Sequence, residues 1–154
     1  METFMHEIDR MTRRQQRNFI LSVGGKIGFI KGIMSGGTGI GGLILKPEKN
    51  PWWQFTEFAQ VSCSFEKMNE VLMLRLNNTK RNIAIPIPYR SIETIRTRVL
   101  PDRESKREEL ELLIRWKGGP DLILENRGWN NRALADFFST PPLKTFFHAD
   151  HTTG

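Results

Sequence analysis

Apolar and polar positions alternate most legibly between Asn82 and Phe138, where IAIPIPYRSIETIR, ELLIRW, DLILEN and NNRALADFF follow one another with short punctuation. Ile83, Ile85 and Ile87 share one face of an extended segment. Pro86 and Pro88 turn their missing donors the other way, which suits an edge strand or a bulge. YRSIETIRTRV continues with Ile92 and Ile95 inward and Arg90, Arg96 and Arg98 outward. LELLIRW pairs with DLILEN across Lys117-Gly118-Gly119-Pro120, a turn whose glycines are expected to supply positive φ. The spacing then predicts a closing helix. Asn130 is a good N-cap, Trp129 and Leu134 would form a hydrophobic staple, and Leu134, Phe137 and Phe138 make the apolar stripe. Pro141-Pro142 marks its end.

Upstream, Phe4, Ile8 and Met11 stand at i, i+4 and i+7 and predict a short helix within Glu2 to Arg17. Arg10, Arg13, Arg14 and Arg17 occupy its other faces and form the densest positive charge in the chain. From Asn18 to Leu45 branched and aromatic residues alternate with glycines, which suits twisted or bulged strands and a hairpin at SGGTG. Lys26, Lys31 and the glycines make that stretch a poor membrane-spanning helix, which needs about 20 mostly uninterrupted apolar residues. Gly37, Gly39 and Gly42 match G-x-G-x-x-G formally. The motif holds a pyrophosphate only when a helix follows, and here Leu43-Ile44-Leu45 reads as a strand stopped by Lys46-Pro47. KPEKNP is a turn by composition. Trp53, Phe55, Val61, Cys63 and Phe65 then recur at period two, and EVLMLRL is a further strand ended by Asn77-Asn78. The mixed-charge run PDRESKREE reads as a solvated loop.

At 154 residues the chain is long enough to bury one core, and 38% hydrophobic with 26% charged residues is the composition of a globular domain. A net charge of +6 favours anionic partners: nucleic acid, an acidic lipid surface or an acidic protein. One cysteine, Cys63, excludes an internal disulfide framework, and its apolar phase marks it as a small buried hydrophobe. The first residues lack the apolar run of a signal peptide, so a cytoplasmic protein is expected, with a peripheral position at a membrane as the secondary reading. Catalysis is not expected, nor is a cofactor. His6, His148 and His151 lie near the ends, and the G-x-S-x-G, H-E-x-x-H and C-x-x-C patterns are missing from the sequence. His148-x-x-His151 has metal-like types but no third or fourth ligand nearby in sequence. Single-strand readers set exposed aromatics beside basic residues. Only Trp52, Trp116 and Tyr89 fall outside core-like phases here.

This order of antiparallel strands and one closing helix resembles the pleckstrin-homology superfold, in particular GRAM and bacterial PH-like domains. Thr38–Leu45 is similar to the family's early glycine-bearing strand, and Ile85–Ile95 resembles its (I/V)P-x-x-x-I-x-x-I strand. Leu112–Glu125 resembles its last hairpin and Asn130–Phe138 its helix. Where that family often continues Thr-x-(K/R)-R, this chain has Lys46-Pro47-Glu48-Lys49. The resemblance implies a mainly β, antiparallel barrel or sandwich over residues 18–139, preceded by a helical extension (1–17) and followed by a flexible tail (140–154). It implies a non-catalytic adaptor that docks on a protein partner or an anionic membrane surface. Arg10, Arg13, Arg14 and Arg17 are the candidate contacts, and Lys26 and Lys31 are the nearest basic candidates if the first hairpin includes Gly24-Gly25. Binding of nucleic-acid backbones by the same arginines, or a structural role in a larger assembly, are the alternatives. Phe146 and Phe147 either dock back on the domain or form a short peptide offered to a partner.

Overall fold

Four segments fold back on one another as an antiparallel meander: β2 (Gly39–Leu45), β3 (Val61–Lys67), β4 (Val71–Asn77) and β5 (Asn82–Pro88). A second meander follows in β6 (Ile92–Leu100), β7 (Glu109–Trp116) and β8 (Leu122–Asn126). The computed structural model describes residues 4–25, 39–53, 61–77, 81–100, 109–126 and 131–150. β2 belongs to both meanders, because Leu43–Leu45 also pair with Leu124–Asn126 of β8. A bulge between Ile40 and Leu43 bends it. There Gly42 takes a φ of +81°, a conformation that a side chain would strain.

Two short strands complete the sheet. β1 (His6–Glu7) pairs with β5, and β9 (Phe147–Asp150) runs parallel to β6. The order is β1-β5-β4-β3-β2-β8-β7-β6-β9, and among the described residues the sheet does not close as a barrel. The chemistry of β5 explains one open edge. Ile8 N–H donates to Asn82 O at 3.0 Å and His6 lies opposite Ala84, so even-numbered residues of β5 face outward from the meander. Beyond β1 those positions are Pro86 and Pro88, which have no donor for another strand. β5 is thus second in the sheet but open where it runs past the two-residue β1, which is where the two prolines stand.

The inward faces carry the core: Leu43, Val61, Phe65, Leu74, Ile85, Ile95, Leu112 and Leu124 are all buried. Helix α2 (Asn131–Ser139) covers it with Leu134, Phe137 and Phe138, and Phe138 meets Phe65 edge to face with centroids 5.3 Å apart. Its proposed N-cap and staple, Asn130 and Trp129, lie outside the described residues, as do Phe55, the 101–108 loop and Ser35–Thr38 of the expected hairpin.

Four sequence expectations are corrected. The N-terminal helix α1 spans Arg13–Ser22, not Glu2–Arg17; His6 and Glu7 are extended and Met5 is buried. Residues 18–22, expected to begin a strand, are its last turns. Gly118 and Gly119 do not have positive φ; they are needed for space, because an added Cβ would stand 2.7 Å and 2.5 Å from the Trp116 ring. Residues 140–150 are not a loose tail. Leu143 is buried, Phe146 and Phe147 pack against the core, and Phe147 stacks on Phe138 at 6.4 Å.

Candidate anion-docking face

Helix α1 starts where Thr12 and Gln15 cap each other. Thr12 Oγ1 accepts from Gln15 N–H at 3.2 Å, and Gln15 Oε1 accepts from Thr12 N–H at 2.9 Å. Gln16 Nε2 donates to Ile8 O at 3.1 Å and ties the helix to the strand before it. The underside is apolar. Phe19, Ile20 and Val23, with Ile8, pack on Met68, Val71, Met73 and Ala84, a second small cluster on the outer face of β4 and β5. A cavity of about 90 Å³ remains beneath it, lined by Ile8, Gln16, Phe19, Ile20, Met73, Arg75 and Ala84. The helix ends at Gly24 and Gly25, both at positive φ, with Gly25 N–H donating to Ile20 O at 2.9 Å.

The opposite side is cationic. Arg10, Arg13, Arg14 and Arg17 are all exposed, and among the described residues none of them pairs with a carboxylate. The helix contains no acid. Arg13 and Arg14 stand in its first turn, at the positive end of the backbone dipole, where a cation costs a few tenths of a kcal/mol or more. Their placement does not serve the helix. Leu21 is 64% exposed and is the exposed large hydrophobic of the described residues. Arg13, Arg17 and Leu21 follow at i, i+4 and i+8, so they lie along one side of α1. A groove of about 580 Å³ runs beside them, lined by Arg13, Gln16, Arg17, Ile20 and Leu21.

A second group of charged side chains is committed to the fold. Lys49 Nζ lies 2.8 Å from Glu111 and 2.6 Å from Glu125, Lys46 lies 2.9 Å from Glu125, and Arg98 lies 2.8 Å from Glu111. Burial alone would push both carboxyls up. Hydrogen bonds from Lys49 and Arg98 to Glu111, and from Lys49 and Lys46 to Glu125, hold both below the usual carboxylate range. Both are therefore ionised at neutral pH and neither is a general acid. The segment carrying Lys46 and Lys49 is pinned by Asn50, whose side-chain amide accepts from Ile123 N–H at 3.0 Å and donates to Ile123 O at 2.8 Å. Asn50 thus imitates one more residue of β2 alongside β8.

Candidate chemical groups inside the sheet are likewise engaged. Burial pushes the Cys63 thiol and the Tyr89 phenol up, and Tyr89 Oη donates to Met68 O at 2.6 Å. Lys67 is buried, donates to Thr140 Oγ1 at 2.8 Å, lies 4.4 Å from the Phe137 ring centroid, and is brought down to about 8 by desolvation.

The structure places Arg13, Arg14 and Arg17 on α1 and Arg10 in the turn before its N-cap, all four exposed. Lys26, Lys31 and His151 lie outside the described residues. Phe146 and Phe147 are half-buried and pack against the core, which is the docked-back arrangement of the two alternatives. Trp116 is buried, while Trp52 and Tyr89 are half-buried and packed; Trp52 donates to Asp121 O at 3.1 Å. They do not form an exposed stacking platform. Among the described residues no group of three or more His, Cys, Asp or Glu side chains could hold a metal ion, and no helix is long and apolar enough to cross a membrane. Two features of the face escaped sequence reasoning. Thr12-x-x-Gln15 is a capping-box spacing that marks the true helix start, and Leu21 follows the arginines at helical spacing. Comparison with family models, with curated proteins and with solved structures finds no match.

Proposed function

We propose that this domain is a non-catalytic, PH-like adaptor that docks on an anionic surface, of a membrane or of a protein partner, through the outer face of α1. The observation that carries this reading is the set of four exposed arginines within residues 10–17, unpaired among the described residues: Arg13, Arg14 and Arg17 on a helix whose underside is fastened to the sheet, and Arg10 in the turn before it. The PH-like part is supported by the order of elements: a four-strand meander, a three-strand meander and a C-terminal helix lying on the core. Support for the non-catalytic part comes from the carboxylates, thiol and phenol of the body, which are held in ion pairs or buried hydrogen bonds.

Retention on an immobilised polyanion tests the face. Arg13→Glu/Arg14→Glu is expected to elute at markedly lower salt than Arg90→Glu/Lys117→Glu, which changes net charge equally at two exposed positions elsewhere. Equal shifts for the two pairs would mean that overall charge, not α1, governs retention.

A further inference from the structure

Resting on that reading, we infer that the anionic surface is a phospholipid bilayer, and that α1 lies flat in its headgroup layer with Leu21 immersed among the lipids and Arg13, Arg14 and Arg17 on their phosphates.

Charge complementarity defines an anionic partner, and Leu21 selects among anionic partners. A leucine 64% exposed one turn beyond Arg17 gains nothing from water. It gains nothing from a nucleic-acid backbone either, whose outer surface is phosphate and sugar. At a bilayer interface the same pattern is productive. Apolar residues enter the acyl boundary, guanidinium heads stay at phosphate level, and the arginine stems lie along the intervening layer. The groove beside α1 mixes the two chemistries in that order, with Arg13, Gln16 and Arg17 followed by Ile20 and Leu21.

The helix also meets the membrane already folded. The Thr12–Gln15 capping box fixes its start, and Phe19, Ile20 and Val23 fix its underside on β4 and β5. Binding therefore does not bear the ordering cost of a segment that folds only on contact. The helix itself contains no acid; Asp9 before it and Glu70 beside Gly24 are exposed near its two ends.

Flotation of the full chain with vesicles of phosphatidylcholine, with and without phosphatidylserine, tests this at physiological salt. The expected result is flotation with the anionic vesicles only. Each arginine near an anionic leaflet contributes roughly fivefold in partition, so Arg13→Glu/Arg14→Glu is expected to lose on the order of 100-fold or more. Leu21→Gln, which removes the apolar contact at unchanged charge, is expected to lose roughly fivefold in flotation yet elute with the unaltered protein from the polyanion column. Leu21→Cys carrying a polarity-sensitive dye adds a direct reading, since Cys63 is buried and stays unlabelled; its emission is expected to shift blue with anionic vesicles. Flotation of Leu21→Gln equal to that of the unaltered chain, or an unchanged emission, would overturn the inference. Late, α1-dependent elution from the polyanion without flotation would leave the docking face standing and transfer the partner to an acidic protein or a nucleic acid. Neither retention nor flotation would remove both readings.

Discussion

Glu111 on β7 and Glu125 on β8 stand directly opposite each other in the ladder, and the Lys49 ammonium sits between their carboxylates at 2.8 Å and 2.6 Å. Two like charges so placed repel, and both side chains are at least nine-tenths shielded from water. Lys49 turns a repulsive pair into a clasp that fastens the segment carrying Lys46 and Lys49 to β7 and β8.

Lys49→Met is therefore expected to destabilise the domain by about 2–3 kcal/mol, read by urea unfolding, because it leaves two facing carboxylates. Adding Glu111→Gln and Glu125→Gln to that variant should restore part of the loss. The pH dependence has a defined sign. Both carboxyls are held below their ordinary value of 4.5 in the native state, so on acidification the unfolded chain takes up protons first. Their contribution is complete above that value and is lost as pH falls through the lowered native range. The melting temperature should fall more steeply there for the unaltered chain than for the triple variant. Parallel curves would assign the clasp no role.

Lys67 gives the opposite limb. Its ammonium is brought from 10.5 down to about 8 by burial, so between those values the unfolded chain holds a proton that the native state has lost. Stability contributed by this group rises with pH through that interval. Lys67→Met should remove the alkaline rise and raise the melting temperature at neutral pH, by an amount bounded at about 3 kcal/mol. A variant with the same rise would place its origin elsewhere.

The turn after β7 depends on space. Trp116 Nε1 donates to Pro120 O at 2.8 Å and lays its ring under Gly118 and Gly119. A methyl group on Gly119 would stand 2.5 Å from that ring, which is itself buried and cannot swing away freely. Gly119→Ala should cost about 1–3 kcal/mol in denaturant unfolding, and a cost near zero would show that the turn can shift.

Phe147 tests the C-terminal segment. It stacks on Phe138 and heads β9, so Phe147→Ala is expected to lower stability by about 1–2 kcal/mol. A peptide held out for a partner would show no change.

What was legible in the sequence is what periodicity encodes. Ile83, Ile85 and Ile87, Val61, Cys63 and Phe65, and Leu134, Phe137 and Phe138 all face the core because one face of their element repeats. Lys67 continues the β3 phase and is buried, so its environment was readable, though not its Thr140 partner 73 residues away. Helix α1 was misplaced because its buried stripe is short. Phe19, Ile20 and Val23 cover a cluster of only four buried residues, while Phe4 belongs instead with Trp52 and Trp116, at 5.7 Å and 6.0 Å. The Lys49 clasp and the parallel pairing of β9 were not readable, because both depend on contacts remote in sequence. The arginines of the docking face were visible; the exposed leucine among them acquires meaning only once the helix boundaries are known.

The most direct measurement pairs a thermal melt with vesicle flotation on the same samples of the unaltered chain, Arg13→Glu/Arg14→Glu and Arg90→Glu/Lys117→Glu. Acids suit the first turn of a helix, so the melting temperature of Arg13→Glu/Arg14→Glu should match or slightly exceed that of the unaltered chain, within about 1 kcal/mol in stability. The expected result is a folded Arg13→Glu/Arg14→Glu protein that no longer floats with anionic vesicles, beside an Arg90→Glu/Lys117→Glu protein that still does. Equal flotation of the two variants, or loss of binding only together with loss of folding, would contradict the assignment of α1 as the docking face.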